Sequence, residues 1–196
     1  EQIGFLEEKG EEDRYIFGFE ESYGYLAGGY VRDKDAVVAS MLICEMAAFY
    51  RTKGISLLQA RENMYKQYGN YVQTLKSFTC EGASGMERMQ EIMSDLRTNG
   101  PKEIGGLKVV AFADYTESVY TDYVTGEKKE ITLPKSDVLT FELEEGAKVI
   151  IRPSGTEPKI KFYCEVPAPF SGAADFDAAN KAAEARVEEI KKDLGL

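Results

Sequence analysis

The chain has 196 residues, 24 lysines and arginines against 34 aspartates and glutamates, a formal charge of −10, and neither histidine nor tryptophan. Without histidine it has no Ser-His-Asp or Cys-His nucleophilic pair, no His-ligated zinc and no imidazole acid-base group, so any chemistry must use carboxylates, lysine, tyrosine, thiols or backbone. The acidic balance argues against a general nucleic-acid or anionic-membrane binder, which needs surplus cations, and 43% apolar residues suffice for a core and argue against disorder.

Cys44, Cys80 and Cys164 are odd in number, widely spaced and form no C-x-x-C pair. They are expected to be reduced thiols of a cytoplasmic protein, packed as small core residues. No run approaches the ~18 apolar residues of a membrane span, and the acidic start lacks the pattern of a signal peptide. The chain opens Glu1-Gln2-Ile3 without an initiator methionine, which fits processing or a piece cut from a longer polypeptide.

In chain order, residues 1–35 are expected to be loop-rich, with a short aromatic strand at 15–19 that runs into Glu20-Glu21-Ser22-Tyr23-Gly24. From Asp35 the residues Val37, Val38, Met41, Leu42, Ile43, Met46 and Phe49 are apolar nearly all round, which predicts a buried helix ending near Gly54 and capped by Asp33 or Asp35. Ser56 and Gln59 form a capping box for a second helix that Gly69 stops. Residues 70–80 read as a strand. Ser84-x-x-Glu87 opens an amphipathic helix whose Met86, Met89, Met93 and Leu96 recur at spacings of three and four, before Asn99-Gly100-Pro101 ends it. Further strands are predicted at 107–115, 119–124, 138–143, 148–151 and 159–166. A long helix follows from about residue 175, with Phe176, Ala179, Ala183, Val187, Ile190 and Leu194 on one stripe. This pattern predicts an α+β layer with the helices at 84–98 and 175–194 covering one face of an antiparallel sheet. The boundary with the preceding apolar helical stretch falls between Gly54 and Gly69.

Two loops carry candidate chemistry. Arg152-Pro153-Ser154-Gly155-Thr156-Glu157-Pro158-Lys159 lies between two strands and is bracketed by prolines. Its guanidinium can fork onto two oxygens, its hydroxyls can donate, and its glycine lets backbone amides approach a ligand, which together suit a phosphate dianion. The same vocabulary also suits a polar hairpin turn whose hydroxyls satisfy their own backbone. Gly18-Phe19-Glu20-Glu21-Ser22-Tyr23-Gly24 places carboxylates and a hydroxyl where they can hold vicinal sugar hydroxyls, or merely form a solvated acidic turn. In Arg32-Asp33-Lys34-Asp35 the acids read as helix caps neutralised by Arg32 and Lys34. A lysine near a helix N-terminus is electrostatically misplaced, a placement sometimes tolerated for ligand contact.

In chain order, 18–24, 32–35 and then 152–159 extended through Ile160-Lys161, these three segments resemble the C-terminal part of an α-D-phosphohexomutase of the bacterial phosphoglucomutase/phosphomannomutase group. The resemblance covers nearly the whole chain. It implies that residues 1–55 are the tail of the third, α/β domain and that 56–69 are a hinge helix or linker. Residues 70–196 would be the fourth domain, whose fold resembles the TATA-binding protein. Glu20 and Ser22 would hold sugar hydroxyls, Arg152, Ser154, Gly155 and Thr156 would bind the distal phosphate, and Lys34 matches a family lysine near the substrate. The implied parent enzyme interconverts hexose 1-phosphate and hexose 6-phosphate through a phosphoserine and a hexose 1,6-bisphosphate, with Mg²⁺. The T-x-S-H-N-P and D-G-D-x-D-R segments that carry the serine and the metal in the family do not occur here. The chain alone is therefore expected to have no catalytic or metal residues and to lack activity. The expected partners are a phosphosugar and the missing N-terminal domains, with no nucleic acid and no membrane. A stand-alone anion-binding or protein-interaction module is the competing expectation.

Overall fold

The computed structural model describes residues 2–20, 24–82 and 84–194, with Glu20 described by its backbone alone. The chain divides into two compact units, residues 1–63 and 64–196.

The first unit begins with a helix the sequence did not suggest, α1 (Gln2–Glu8), and a 3-10 turn at Glu12–Arg14. Strands β1 (Phe17–Glu20) and β2 (Gly24–Ala27) pair as an antiparallel hairpin, with Phe17 opposite Ala27 and Glu20 opposite Gly24. Helix α2 (Ala36–Thr52) follows, capped by Asp35, whose carboxylate accepts from the backbone N–H groups of Val37 at 2.8 Å and Val38 at 3.2 Å. Helix α3 (Leu57–Tyr68) opens on the expected capping box: Gln59 Oε1 accepts from Ser56 N–H and Ser56 Oγ from Gln59 N–H. Gly69, at φ +97, stops it.

The expectation of a buried α2 is overturned. None of its residues is buried, Val37 is 80% exposed, and Met41, Ile43 and Phe49 are each more than half exposed. An all-round apolar helix needs cover on several sides, and among the described elements β2 is the one that packs against it to any extent. Ile3 and Leu26 are the only buried hydrophobic side chains among the described residues of this unit. The hairpin likewise shows water a cluster of Phe17, Phe19 and Tyr25, with ring centroids 5.9–6.4 Å apart.

The second unit has a real core. Its antiparallel sheet uses β3 (Tyr71–Thr79), β4 (Glu103–Ile104), β5 (Leu107–Asp114), β6 (Val119–Asp122), β7 (Lys128–Glu130), β8 (Leu139–Leu143), β9 (Lys148–Pro153) and β10 (Lys159–Pro167). The strand order is β3-β10-β9-β8-β5-β6-β7, with β4 pairing on β5. Helices α4 (Gly85–Thr98) and α5 (Ala173–Asp193) lie against one face, as the periodicity predicts. Met89 and Met93 of α4 join Ala183, Val187 and Ile190 of α5 in one cluster with Val149, Ile151, Ile160, Phe162, Phe141 and Leu143 of the sheet. Strict alternation along β10 sends Ile160, Phe162, Cys164 and Val166 into that cluster and Lys161, Tyr163 and Glu165 to the other face. A bulge between Val109 and Ala111 changes which residues of β5 face the helices, so that Phe112 meets Phe141 with ring centroids 5.0 Å apart.

Two details differ from expectation. Ser84 precedes α4, but with φ −93 and ψ 13 its side chain makes no capping hydrogen bond, because that backbone does not present the hydroxyl to the first-turn amides. Helix α5 starts two residues early, where the Asp175 carboxylate accepts from the N–H groups of Ser171 and Gly172. Asn70 ties the ends of the unit together, donating from Nδ2 to Ala168 O at 3.1 Å and to Asn180 Oδ1 at 2.9 Å.

The cysteines divide by exposure. Cys44 on α2 is exposed, against its expected core role, while Cys80 and Cys164 are buried. Burial pushes the Cys164 thiol up to about 11. A thiol-exchange reagent at pH 8 is therefore expected to label Cys44 rapidly and the other two only on unfolding, and rapid labelling of all three would contradict this packing.

Candidate phosphate-binding and sugar-binding loops

The loop joining β9 to β10 is held by its own backbone. Ser154 N–H donates to Lys159 O at 2.7 Å and Lys159 N–H to Glu157 O at 2.7 Å. Ser154 Oγ accepts from the amides of Thr156 at 3.4 Å and Glu157 at 3.3 Å, which leaves its proton available to a ligand. Pro158 O accepts from Cys80 N–H at 2.8 Å, fixing the loop to the end of β3. Gly85, the first residue of α4, packs on that junction: a Cβ there would stand 2.9 Å from Pro158 Cβ. Around Gly155 the surroundings are open, and a Cβ would meet nothing within 4 Å. Its role is thus an accessible backbone rather than close packing.

Arg152, Gly155 and Thr156 are exposed and Ser154 half-buried. Arg152 stands opposite Lys161 in the β9–β10 ladder, on the sheet face away from the helices. Like charges directly opposite repel, and among the described residues neither cation makes an ion pair or hydrogen bond with a protein group. Neighbouring Lys159 pairs with Glu157 at 3.3 Å. A chain with ten surplus acids thus leaves two cations uncompensated beside two hydroxyls. The motif as a string gives Lys161 no role, because only the strand register brings it to Arg152.

In the first unit, residues 21–23 connect β1 to β2. Ser22 and the side chain of Glu20 lie outside the described residues. The Lys34 stem lies over Gly24, the first residue of β2. Asp33 Oδ1 accepts from Lys34 N–H at 2.7 Å and sits 3.3 Å from Lys34 Nζ. The backbone N–H of Lys34, more than its charge, holds the Asp33 carboxyl below its usual range. Asp35 is held low chiefly by the Tyr30 hydroxyl that donates to it, and the same bond raises the Tyr30 phenol. Asp35 is therefore a helix cap, as expected. Arg32 does not neutralise these acids but pairs with Glu7.

No group of three or more His, Cys, Asp or Glu side chains placed to hold a metal ion occurs among the described residues. None of the described helices is long and apolar enough to cross a membrane.

Residues 4–68 match the family model described as phosphoglucomutase/phosphomannomutase, alpha/beta/alpha domain III, and residues 93–183 match the phosphoglucomutase/phosphomannomutase C-terminal domain. A phosphoglucomutase of Staphylococcus epidermidis is 42% identical over 152 residues, 78% of this chain and 28% of the relative. One from Staphylococcus aureus is 43% identical over 154 residues, 79% of this chain and 28% of the relative. The chain thus spans less than a third of the length of these relatives. The open form of pp63/parafusin, a phosphoglucomutase from Paramecium, superposes with a TM-score of 0.50 at 16% identity, covering 95% of this chain and 32% of that one. That likeness bears on the fold alone.

Proposed function

Because this chain belongs to the phosphoglucomutase/phosphomannomutase family, we propose that it is the C-terminal part of a cytoplasmic mutase interconverting hexose 1-phosphate and hexose 6-phosphate through a phosphoserine and a hexose 1,6-bisphosphate. Residues 1–55 carry the sugar loop, with Glu20 and Ser22 accepting and donating to vicinal hydroxyls and Lys34 close to the substrate. Residues 56–69 are the hinge. Residues 70–196 carry the site for the phosphate distal to the reaction, with Arg152, Ser154, Gly155, Thr156 and, across the ladder, Lys161 as its donors.

The observation that carries this reading is the uncompensated Arg152–Lys161 pair beside the loop hydroxyls. A phosphate dianion offers oxygens to a forked guanidinium, an ammonium and two hydroxyls at once, relieving the repulsion between the cations. Such a grip reads charge and threefold oxygens and ignores which end of the sugar carries them, as a reaction that turns its bisphosphate around requires. Exposure of the loop suits a site that closes on substrate and then releases it.

The exposed α2 supports the missing partner: a helix apolar all round is suited to burial against the rest of its domain in the parent polypeptide. Mg²⁺ and the phosphoserine belong, on this reading, to those upstream domains, where the metal stabilises charge on the transferring phosphoryl group. The isolated 196-residue chain is accordingly expected to bind sugar phosphates without interconverting glucose 1-phosphate and glucose 6-phosphate. Turnover by contaminant-free chain in a coupled assay would overturn the proposal.

A further inference from the structure

The two edges of the sheet in the second unit are built differently. At one end β7 is only three residues long, and Lys128, Lys129 and Glu130 are all charged and exposed. Short, charged strands are how sheets keep an edge from pairing with another chain. At the other end β3 runs for nine residues, Tyr71–Thr79, in unbroken register against β10. It has no proline and no bulge, and Lys76 is its one charged residue. Among the described residues no strand pairs with its outer side, and none of its own residues is buried. Its outward backbone N–H and C=O groups are therefore an unguarded template for another strand.

The side chains make this edge complementary to itself. The even-numbered residues of β3 stand opposite Ile160, Phe162, Cys164 and Val166 and share their helix-covered face, and the odd-numbered residues point the other way. A two-fold axis through Leu75 pairs two copies of β3 over their whole length. Leu75 then meets Leu75, Val72 meets Phe78 and Lys76 meets Thr74 of the second copy, so apolar groups oppose apolar groups and no like charges face each other. An axis moved to Lys76 sets two ammoniums opposite, and one moved to Thr74 shortens the ladder and places Val72 against Lys76. The axis through Leu75 also accounts for Phe78. Val72 packs against the core cluster where Asn70 holds Asn180 of α5 at 2.9 Å, whereas Phe78 on the same face is 40% exposed. Pairing about Leu75 brings Val72 of the second copy, with that copy's α5 above it, beside Phe78.

We propose that β3 is an interface between two copies of this chain, which pair antiparallel about Leu75 and join their sheets edge to edge.

The test combines sedimentation equilibrium with oxidative cross-linking of the 196-residue chain, in a Cys44→Ser background that removes the exposed thiol. This chain is expected to be dimeric at high micromolar concentration. Leu75→Lys, at a position 48% exposed, is expected to be monomeric at the same concentration, because it sets two ammoniums face to face on the axis. Leu75→Cys is expected to form a disulfide-linked dimer, since residues directly opposite in an antiparallel ladder stand about 4.5–5.5 Å apart at Cα, within reach of a disulfide. Ser77→Cys, also exposed and on the same face, would lie four residues from its own copy, roughly 13 Å away, and is expected to stay reduced. A monomeric parent chain, a dimer that survives Leu75→Lys, or Ser77→Cys cross-linking as fast as Leu75→Cys overturns the proposal. Association through the exposed face of α2 is one such result, because it would persist in Leu75→Lys. Circular dichroism checks the fold of each variant, and if Leu75→Lys does not fold, the contrast between Leu75→Cys and Ser77→Cys decides alone.

Discussion

Arg152→Ala is expected to remove most of the chain's affinity for glucose 1,6-bisphosphate and for inorganic phosphate, a loss of about 2 kcal/mol or more, roughly 30-fold. The guanidinium has no protein partner among the described residues, so its removal leaves no buried acid stranded and the loss reads the ligand contact itself. Arg152→Lys keeps the charge but not the fork and is expected to fall between. Lys161→Met removes the second cation and is expected to weaken binding less, with a flatter dependence on salt because one screened charge is gone. Titration calorimetry at low and high ionic strength measures all three. Affinity unchanged in the Arg152→Ala chain would remove this loop from the phosphate site.

Phe141→Ala is expected to have the largest effect on stability. Phe141 is 1% exposed and packs in the main cluster beside Phe112, and truncating a buried phenylalanine costs about 3–5 kcal/mol in lost transfer energy and residual cavity. Phe49→Ala, on the 52% exposed position of α2, removes the same group where it is half in water and is expected to be near neutral in this chain. Urea unfolding of the two variants reads the contrast. A midpoint shifted equally by both would mean that α2 is covered in solution, against the exposure seen here.

That contrast also marks how far the sequence can be read. The period of Met89 and Met93, of Ala183, Val187 and Ile190, and the alternation of Ile160, Phe162 and Cys164 are set by which face each element buries, so local pattern predicted α4, α5 and β10 correctly. Ser56 with Gln59 and Asp35 before Ala36 worked for the same reason, because a cap is satisfied within one turn of chain. The bulge at Val109 and Ala111 and the pairing of Arg152 with Lys161 are products of strand register, which partner strands set and local pattern does not. Strand β7 leaves no local signal, because Lys128, Lys129 and Glu130 are all exposed and have no apolar face to show. Helix α2 has a composition that asks for burial, and the described residues of this chain do not supply the cover. Of the site, the residue types of the Arg152 loop were legible from the motif, whereas Lys161's place beside it and the passage of Lys34 over Gly24 needed the fold.

The central claim, that the 152–161 segment is a phosphate-binding site, is tested most directly by titrating glucose 6-phosphate into the ¹⁵N-labelled chain and following every backbone amide. The predicted result is a saturable shift concentrated at residues 152, 154–156 and 161 that weakens with added salt and is lost in the Arg152→Ala chain. Saturable shifts elsewhere with none in this segment, or no shift anywhere at millimolar ligand, would contradict it.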